Sequence, residues 1–205
     1  MLIETLSVGP YGTNCYLWAA THGGCAVVID PGDDGVRILR RVKDLVLDVT
    51  CIVLTHGHHD HTGALKELKD ATGAEIAMHV ADADMLRNNT LAAMLGLKAC
   101  YPLPPDKQLE DGQKVVVGGV EFSVLHTPGH SRGSICLLGD GVVFTGDTLF
   151  QAGIGRTDLP GGNYTELIDS IESKLLSLPD NTRVYPGHGP STTIGDEKRN
   201  NPFFG

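Results

Sequence analysis

The sequence predicts an α/β fold, and three observations carry that expectation. Short apolar runs such as Cys51-Ile52-Val53-Leu54 alternate with stretches whose apolar residues recur at helical spacing, such as Val36, Leu39 and Val42. Each half of the chain reads as hairpins followed by a helix. The densest polar motif, Thr55-His56-Gly57-His58-His59-Asp60-His61, stands between an apolar strand and a helical pattern. Open α/β sheets hold their ligands at such strand ends.

Taken in order, Asn14 to Ala19 and Cys25 to Asp30 read as two strands joined around Thr21-His22-Gly23-Gly24, with His22 exposed in the turn. Asp30-Pro31-Gly32 closes the second strand. Asp30 has two readings: it orients a metal-binding histidine from behind, or it caps a turn. A helix is expected from about Asp34 to Leu45, and another from near Thr62, where Leu65 and Leu68 share a face before Gly73. Glu75 to His79 reads as a strand and Val80 to Arg87 as a short helix, with His79 structural. The stretch 88–112 contains Tyr101-Pro102-Leu103-Pro104-Pro105, which suits neither helix nor central strand, and is expected to be a surface loop bordering the site.

A second hairpin spans Lys114 to Val117 and Val120 to Leu125. After it, His126-Thr127-Pro128-Gly129-His130-Ser131 forms a tight loop that presents His130, while His126 closes a strand and reads as structural. Strands at Ser134 to Leu138 and Val142 to Thr145 follow, the latter ending in Gly146-Asp147. Asn163 with Glu166 three residues later signals a helix start, and Leu167, Ile171, Leu175 and Leu178 give that helix its apolar face. The short strand Arg183-Val184-Tyr185 delivers Pro186-Gly187-His188-Gly189-Pro190, a second rigid loop presenting one histidine. The tail, Asn200 to Phe204, is expected to pack.

The chain of 205 residues suits one domain, residues 1–205, with one substantial core. A net charge of −9 disfavours a nucleic-acid surface. No signal peptide is evident and no apolar run approaches membrane-spanning length, so a cytoplasmic protein with no membrane partner is expected. Five scattered cysteines (Cys15, Cys25, Cys51, Cys100 and Cys136) read as reduced thiols.

The spacing of the central motif carries chemistry. His56 and His58 are two apart, so extended backbone points both imidazoles to one side. Asp60 and His61 follow where the chain turns, and groups facing two directions can serve two metals. Imidazole and carboxylate suit zinc, iron or manganese, and the lack of a cysteine argues against a structural zinc site. A two-metal site needs about three protein ligands per metal and a bridging carboxylate. His130, Asp147 and His188, all at loop or strand ends, supply what the motif lacks.

This set (Asp30, the motif at 55–61, His130, Asp147 and His188) resembles the metallo-β-lactamase superfamily over nearly the whole chain. The resemblance implies a four-layer αββα sandwich, the metallo-β-lactamase fold, with metals at one edge of the two sheets. It implies that His56, His58 and His130 bind one divalent ion, that Asp60, His61 and His188 bind a second, and that Asp147 bridges them. Zinc is expected, with iron or manganese as alternatives. Asp30 would stand behind the ligands, Asp60 would also act in catalysis, and His59 would not be a ligand.

Within that superfamily, T-G-D-T-L-F at 145–150, G-I-G-R at 153–156, Y-P-G-H-G-P at 185–190 and T-I-G-D-E-K-R-N-N-P-F at 193–203 resemble short glyoxalase II-like proteins, the hydroxyacylglutathione hydrolases. The longer form carries a further C-terminal helical domain that supplies much of the glutathione site. Arg156 aligns with a basic residue that contacts glutathione in that form; its other reading is a surface arginine. The implied function is hydrolysis of a small-molecule thioester, S-lactoylglutathione or a similar 2-hydroxyacyl thioester, by hydroxide generated at the metals. An iron-dependent persulfide dioxygenase and a lactonase or β-lactamase on the same fold are the alternatives.

Overall fold

A computed structural model describes residues 1–87 and 103–204. The first sheet runs in chain order. β1 (Leu2–Val8) pairs antiparallel with β2 (Thr13–Ala19), and β2 with β3 (Cys25–Ile29). β4 (Asp48–Val53), β5 (Glu75–His79) and β6 (Lys107–Leu109) then add in parallel. Parallel neighbours require crossovers. The first crossover is α1 (Gly35–Asp44); the second is α2 (His59–Thr62) followed by α3 (Leu65–Thr72). After β5 comes a 3₁₀ turn, Val80–Asp82, and α4 (Ala83–Arg87).

The second sheet starts as an antiparallel meander of β7 (Lys114–Val117), β8 (Val120–His126), β9 (Ile135–Gly139) and β10 (Val142–Gly146). A small hairpin follows, β11 (Leu149–Phe150) with β12 (Gly153–Ile154). Then come α5 (Tyr164–Ser170), which continues as a π-helical stretch Ile171–Leu175, and β13 (Arg183–Pro186), parallel to β10. β14 (Thr192–Thr193) leads into α6 (Ile194–Asn200). The order of this sheet is β14-β13-β10-β9-β8-β7.

Alternation along the strands builds the layers. Successive side chains point to opposite faces, so Leu17 and Val28 join Ile38, Val42, Leu65 and Leu68 in a core beneath the helices α1 and α3. Their neighbours Tyr16, Trp18 and Val27 face Phe122, Leu137 and Phe144 of the second sheet. On that sheet's far side, Cys136, Val143 and Val184 pack on Leu167, Ile171, Leu175 and Ile194. The result is helix, sheet, sheet, helix, as the resemblance implies. Trp18 meets Phe122 edge-on at 4.7 Å between ring centroids, a favoured aromatic geometry.

Several expectations need correction. The helix after the motif begins at His59, not near Thr62, and breaks before Leu65. Within the expected loop 88–112, residues 103–112 include β6, because Lys107–Leu109 completes a parallel ladder on Ala77 to His79; residues 88–102 lie outside those described. The strand β1 and the helix α6 carry no expectation at all. In the tail Phe204 packs on the third core, whereas Phe203 is 45% exposed. The apolar face of α5 is as expected through Leu175, but Leu178 lies beyond the helical stretch. Cys15, Cys25, Cys51 and Cys136 are free, with Cys25 exposed; Cys100 lies outside the described residues. His22 is exposed as expected.

Candidate metal centre

Five strand ends or loops deliver the polar side chains to one edge of the two sheets. β3 leads into Asp30 and β4 into the Thr55–His61 motif, the β8–β9 connection carries His130, and β10 and β13 lead into Asp147 and His188. Asp30 has φ of 51°, an uncommon conformation for a residue with a side chain. It directs its carboxylate at the base of the motif. Asp30 Oδ1 accepts the Thr55 N–H and Oδ2 the Thr55 hydroxyl, both at 2.7 Å. Asp30 Oδ2 also lies 2.9 Å from His61 Nδ1.

The imidazoles are oriented one by one. Thr55 Oγ1 donates to Asp30, so it accepts from His56 Nδ1 at 3.1 Å and leaves His56 Nε2 without a proton. His130 Nδ1 donates to the Arg156 carbonyl at 2.7 Å, which leaves its Nε2 bare as well. These two nitrogens stand 3.3 Å apart, and His58 Nδ1 is 2.9 Å from His130 Nε2. On the other side the far ring nitrogens are again engaged. His61 Nδ1 donates to Asp30 and His188 Nδ1 to the Tyr11 carbonyl at 3.2 Å. Their Nε2 atoms face each other at 3.3 Å. Ring nitrogens brought so close are the donor set of a cation, and a partner on the far ring nitrogen is how metal-binding histidines are held.

Two groupings of metal-binding geometry result, His56 with His58 and His130, and Asp60 with His61 and His188. Asp147 lies between them. Its Oδ2 is 3.6 Å from both His130 Nε2 and His188 Nε2, and its Oδ1 is 3.4 Å from His61 Nε2. That Oδ1 is buried with no hydrogen-bond partner among the described residues. A buried carboxylate oxygen left so is costly unless a cation takes it, so the residues present fit a pair of metal ions. Asp30, His56 and His61 also meet the distance criterion for a metal. The Asp30 oxygens are already engaged by Thr55 and His61, so Asp30 acts from behind His61.

Charge follows the same division. Burial, then the neighbouring His61, holds His56 well below the usual imidazole value. Burial and His130 bring His58 down to about 4. Both are therefore neutral donors at pH 7. For His61 burial opposes the charge, but the Asp147 and Asp30 carboxylates outweigh it and raise the pKa. For Asp60 burial is again overcome, here by the hydrogen bond from His188 and the charge of His61, and the group stays a carboxylate. Thr13 Oγ1 donates to Asp60 Oδ2 at 3.4 Å.

Each residue expected from the sequence to bind metal is thus at this edge, with Asp30 behind it. His59 belongs to neither grouping. Arg156 is beside the centre, but its guanidinium is exposed and forms a bidentate pair with Asp158 at 2.7 Å. His79 and His126 stack on each other at 4.0 Å, away from these groupings. Sequence reasoning missed the supports: Thr55, the Tyr11 carbonyl, and Asn14, whose Nδ2 donates to the carbonyls of Pro186 and Gly189 on either side of His188. The polar pair Thr13-Asn14 opening an apolar strand was the available signal; a backbone carbonyl gives none.

The family model of the metallo-beta-lactamase superfamily matches residues 8–188. The hydroxyacylglutathione hydrolase GloC of Haemophilus influenzae is 41% identical over 211 residues, covering 100% of this chain and 98% of the relative. Among solved structures, the BLEG-1 B3 metallo-beta-lactamase superposes with a TM-score of 0.93 at 38% identity, covering 99% of each chain. TTHA1623 in a di-iron-bound form gives 0.88 at 40% identity, covering 98% of this chain and 99% of the other. ETHE1 from Myxococcus xanthus gives 0.83 at 38%, covering 98% and 84%.

Proposed function

Because this chain belongs to the metallo-β-lactamase superfamily, we propose that it is a two-metal hydrolase of a small-molecule thioester, S-lactoylglutathione or a similar 2-hydroxyacyl thioester. The observation that carries the reading is the buried Oδ1 of Asp147, which has no hydrogen-bond partner among the described residues, between two facing sets of imidazole nitrogens. His56, His58 and His130 would hold one ion, Asp60, His61 and His188 the other, with Asp147 shared. Two such ions supply Lewis acidity and lower the pKa of a water toward neutrality. Zinc suits this donor set, and the di-iron-bound form of TTHA1623 makes iron the alternative ahead of manganese.

The chain's own residues do the rest. Asp60, kept ionised by His188 and His61, accepts a hydrogen bond from the attacking water and orients it. Thr13 and His188 fix the Asp60 carboxylate, so that orientation costs little at the moment of reaction. A thiolate is a good leaving group near neutral pH, so no strong acid is needed to expel it, and solvent protonates it afterwards. The thioester reading draws support from the likeness to GloC, a hydroxyacylglutathione hydrolase.

The net charge of −9 supports a small-molecule substrate over nucleic acid. Among the described residues no helix is long and apolar enough to cross a membrane. A cytoplasmic location accords with the four free cysteines among the described residues.

The second reading, an iron-dependent persulfide dioxygenase, draws only on the presence of iron in the similar TTHA1623; the likeness to BLEG-1 adds a β-lactam ring as a competing substrate, and a lactone is the remaining alternative. The test is thiol release from S-lactoylglutathione under nitrogen, run beside oxygen uptake with glutathione persulfide and ring opening of a lactone and a β-lactam. The proposal expects anaerobic thiol release to dominate. Oxygen uptake without it would move the chain to the dioxygenase reading. Arg156 is proposed to anchor the thiol carrier by exchanging Asp158 for a substrate carboxylate. Arg156→Ala should then raise KM with a smaller effect on kcat, because a remote contact changes little between ground and transition states.

A further inference from the structure

Asp82 ends the 3₁₀ turn after β5 and is 1% exposed. No feature of the sequence singles it out. Its Oδ2 accepts the Gly57 N–H at 3.0 Å and the Ser131 hydroxyl at 2.6 Å. Its Oδ1 accepts the Gly133 N–H at 2.7 Å. Gly133 packs so closely that a Cβ there would lie 2.7 Å from Asp82 Cγ. Burying a carboxylate is costly unless it is well hydrogen-bonded, and all three of these bonds go to the two loops that carry the first set of imidazoles. Gly57 stands between His56 and His58, and Ser131 follows His130. One carboxylate therefore holds a chain neighbour of each of the three histidines, across loops that leave different sheets.

We propose that Asp82 is a positioning residue for the first metal ion, fixing His56 and His58 relative to His130 without touching the metal. The inference rests on the two-metal reading above. An asparagine cannot replace it. With its oxygen toward Gly57 and Ser131, its amide would face the Gly133 N–H, donor against donor; turned over, it would face the Gly57 N–H. Either way one loop loses its tether while side-chain volume is kept.

The test is a Zn²⁺ titration of the metal-free full chain against a competing chromophoric chelator, for the wild type, Asp82→Asn and Ser131→Ala. Visible spectra of the Co²⁺-loaded forms and thermal unfolding of the metal-free forms accompany it. Asp82→Asn should weaken one of the two affinities about tenfold, the lower end of what loss of an outer partner costs a metal site. The other affinity should change far less, and the Co²⁺ absorption bands should shift while the metal-free protein still melts cooperatively. Ser131→Ala removes one bond and keeps the carboxylate, so it should weaken the same site by less; it carries the test if Asp82→Asn does not fold. Unchanged affinities in both variants would overturn the proposal. So would an equal loss at both sites that tracks a fall in melting temperature. Wild-type protein that loads two ions yet hydrolyses no thioester would count against the proposed function and leave this inference standing. Wild-type protein that loads one ion would contradict the two-metal reading, and the inference would then fall if Asp82→Asn left that ion's affinity unchanged.

Discussion

Asp147 is the side chain through which the two halves of the centre meet. It approaches His61, His130 and His188 within 3.4–3.6 Å and keeps one oxygen buried with no hydrogen-bond partner among the described residues. Without it the facing imidazoles would leave two cations to repel each other uncompensated. Asp147→Ala should therefore lower both bound metal and kcat/KM by more than the 10–100-fold typical of losing an outer partner. His59→Ala, outside both groupings, should leave metal content unchanged and activity nearly so. Comparable losses in the two variants, measured by elemental analysis and thiol release, would contradict the assignment. At this scale the proposed ligands were legible and their supports were not. Imidazoles and carboxylates at strand ends announce themselves by residue type. The Tyr11 and Arg156 carbonyls that orient His188 and His130 do not, because any residue offers a carbonyl.

Among the elements, α5 is the one that braces a ligand loop most visibly. Asn163 caps it, its side chain accepting the Glu166 N–H, and its own N–H donates to the Gly129 carbonyl at 2.7 Å. Ser170 Oγ donates to the Pro128 carbonyl at 2.8 Å. Both acceptors immediately precede His130. Ile171, fully buried, opens the π-helical stretch that seats α5 on the second sheet. Ile171→Ala should cost about 2–5 kcal/mol through the cavity it leaves. Thermal unfolding would read this as a drop in Tm of roughly 5–15 °C, and a Tm within error of the wild type would refute the packing role. The cap was readable because Asn-x-x-Glu before an apolar pattern has a local cause. β1 was not: as an edge strand with one half-exposed face it shows weak alternation, and its pairing partner β2 decides it. β11, β12 and β14, at two residues each, are too short for any pattern.

For the whole molecule, strand alternation says which faces are buried but not that two sheets stack on each other. Leu17 and Trp18 are both fully buried, one beneath a helix and one against the opposite sheet. Their sequence does not distinguish those fates, and the four-layer arrangement was legible through the family resemblance. The stacking is what gives the centre its form. Each grouping draws on loops of both sheets: His56 and His58 from the first with His130 from the second, Asp60 and His61 from the first with His188 from the second.

The central claim is that these seven side chains hold two ions, and a metal count on fully loaded, active protein tests it most directly. Elemental analysis after saturation and removal of loosely bound metal should give close to two ions per chain, with thioester hydrolysis rising as the second is taken up. One ion per chain at saturation, with Asp60, His61 and His188 free of it, would contradict the account.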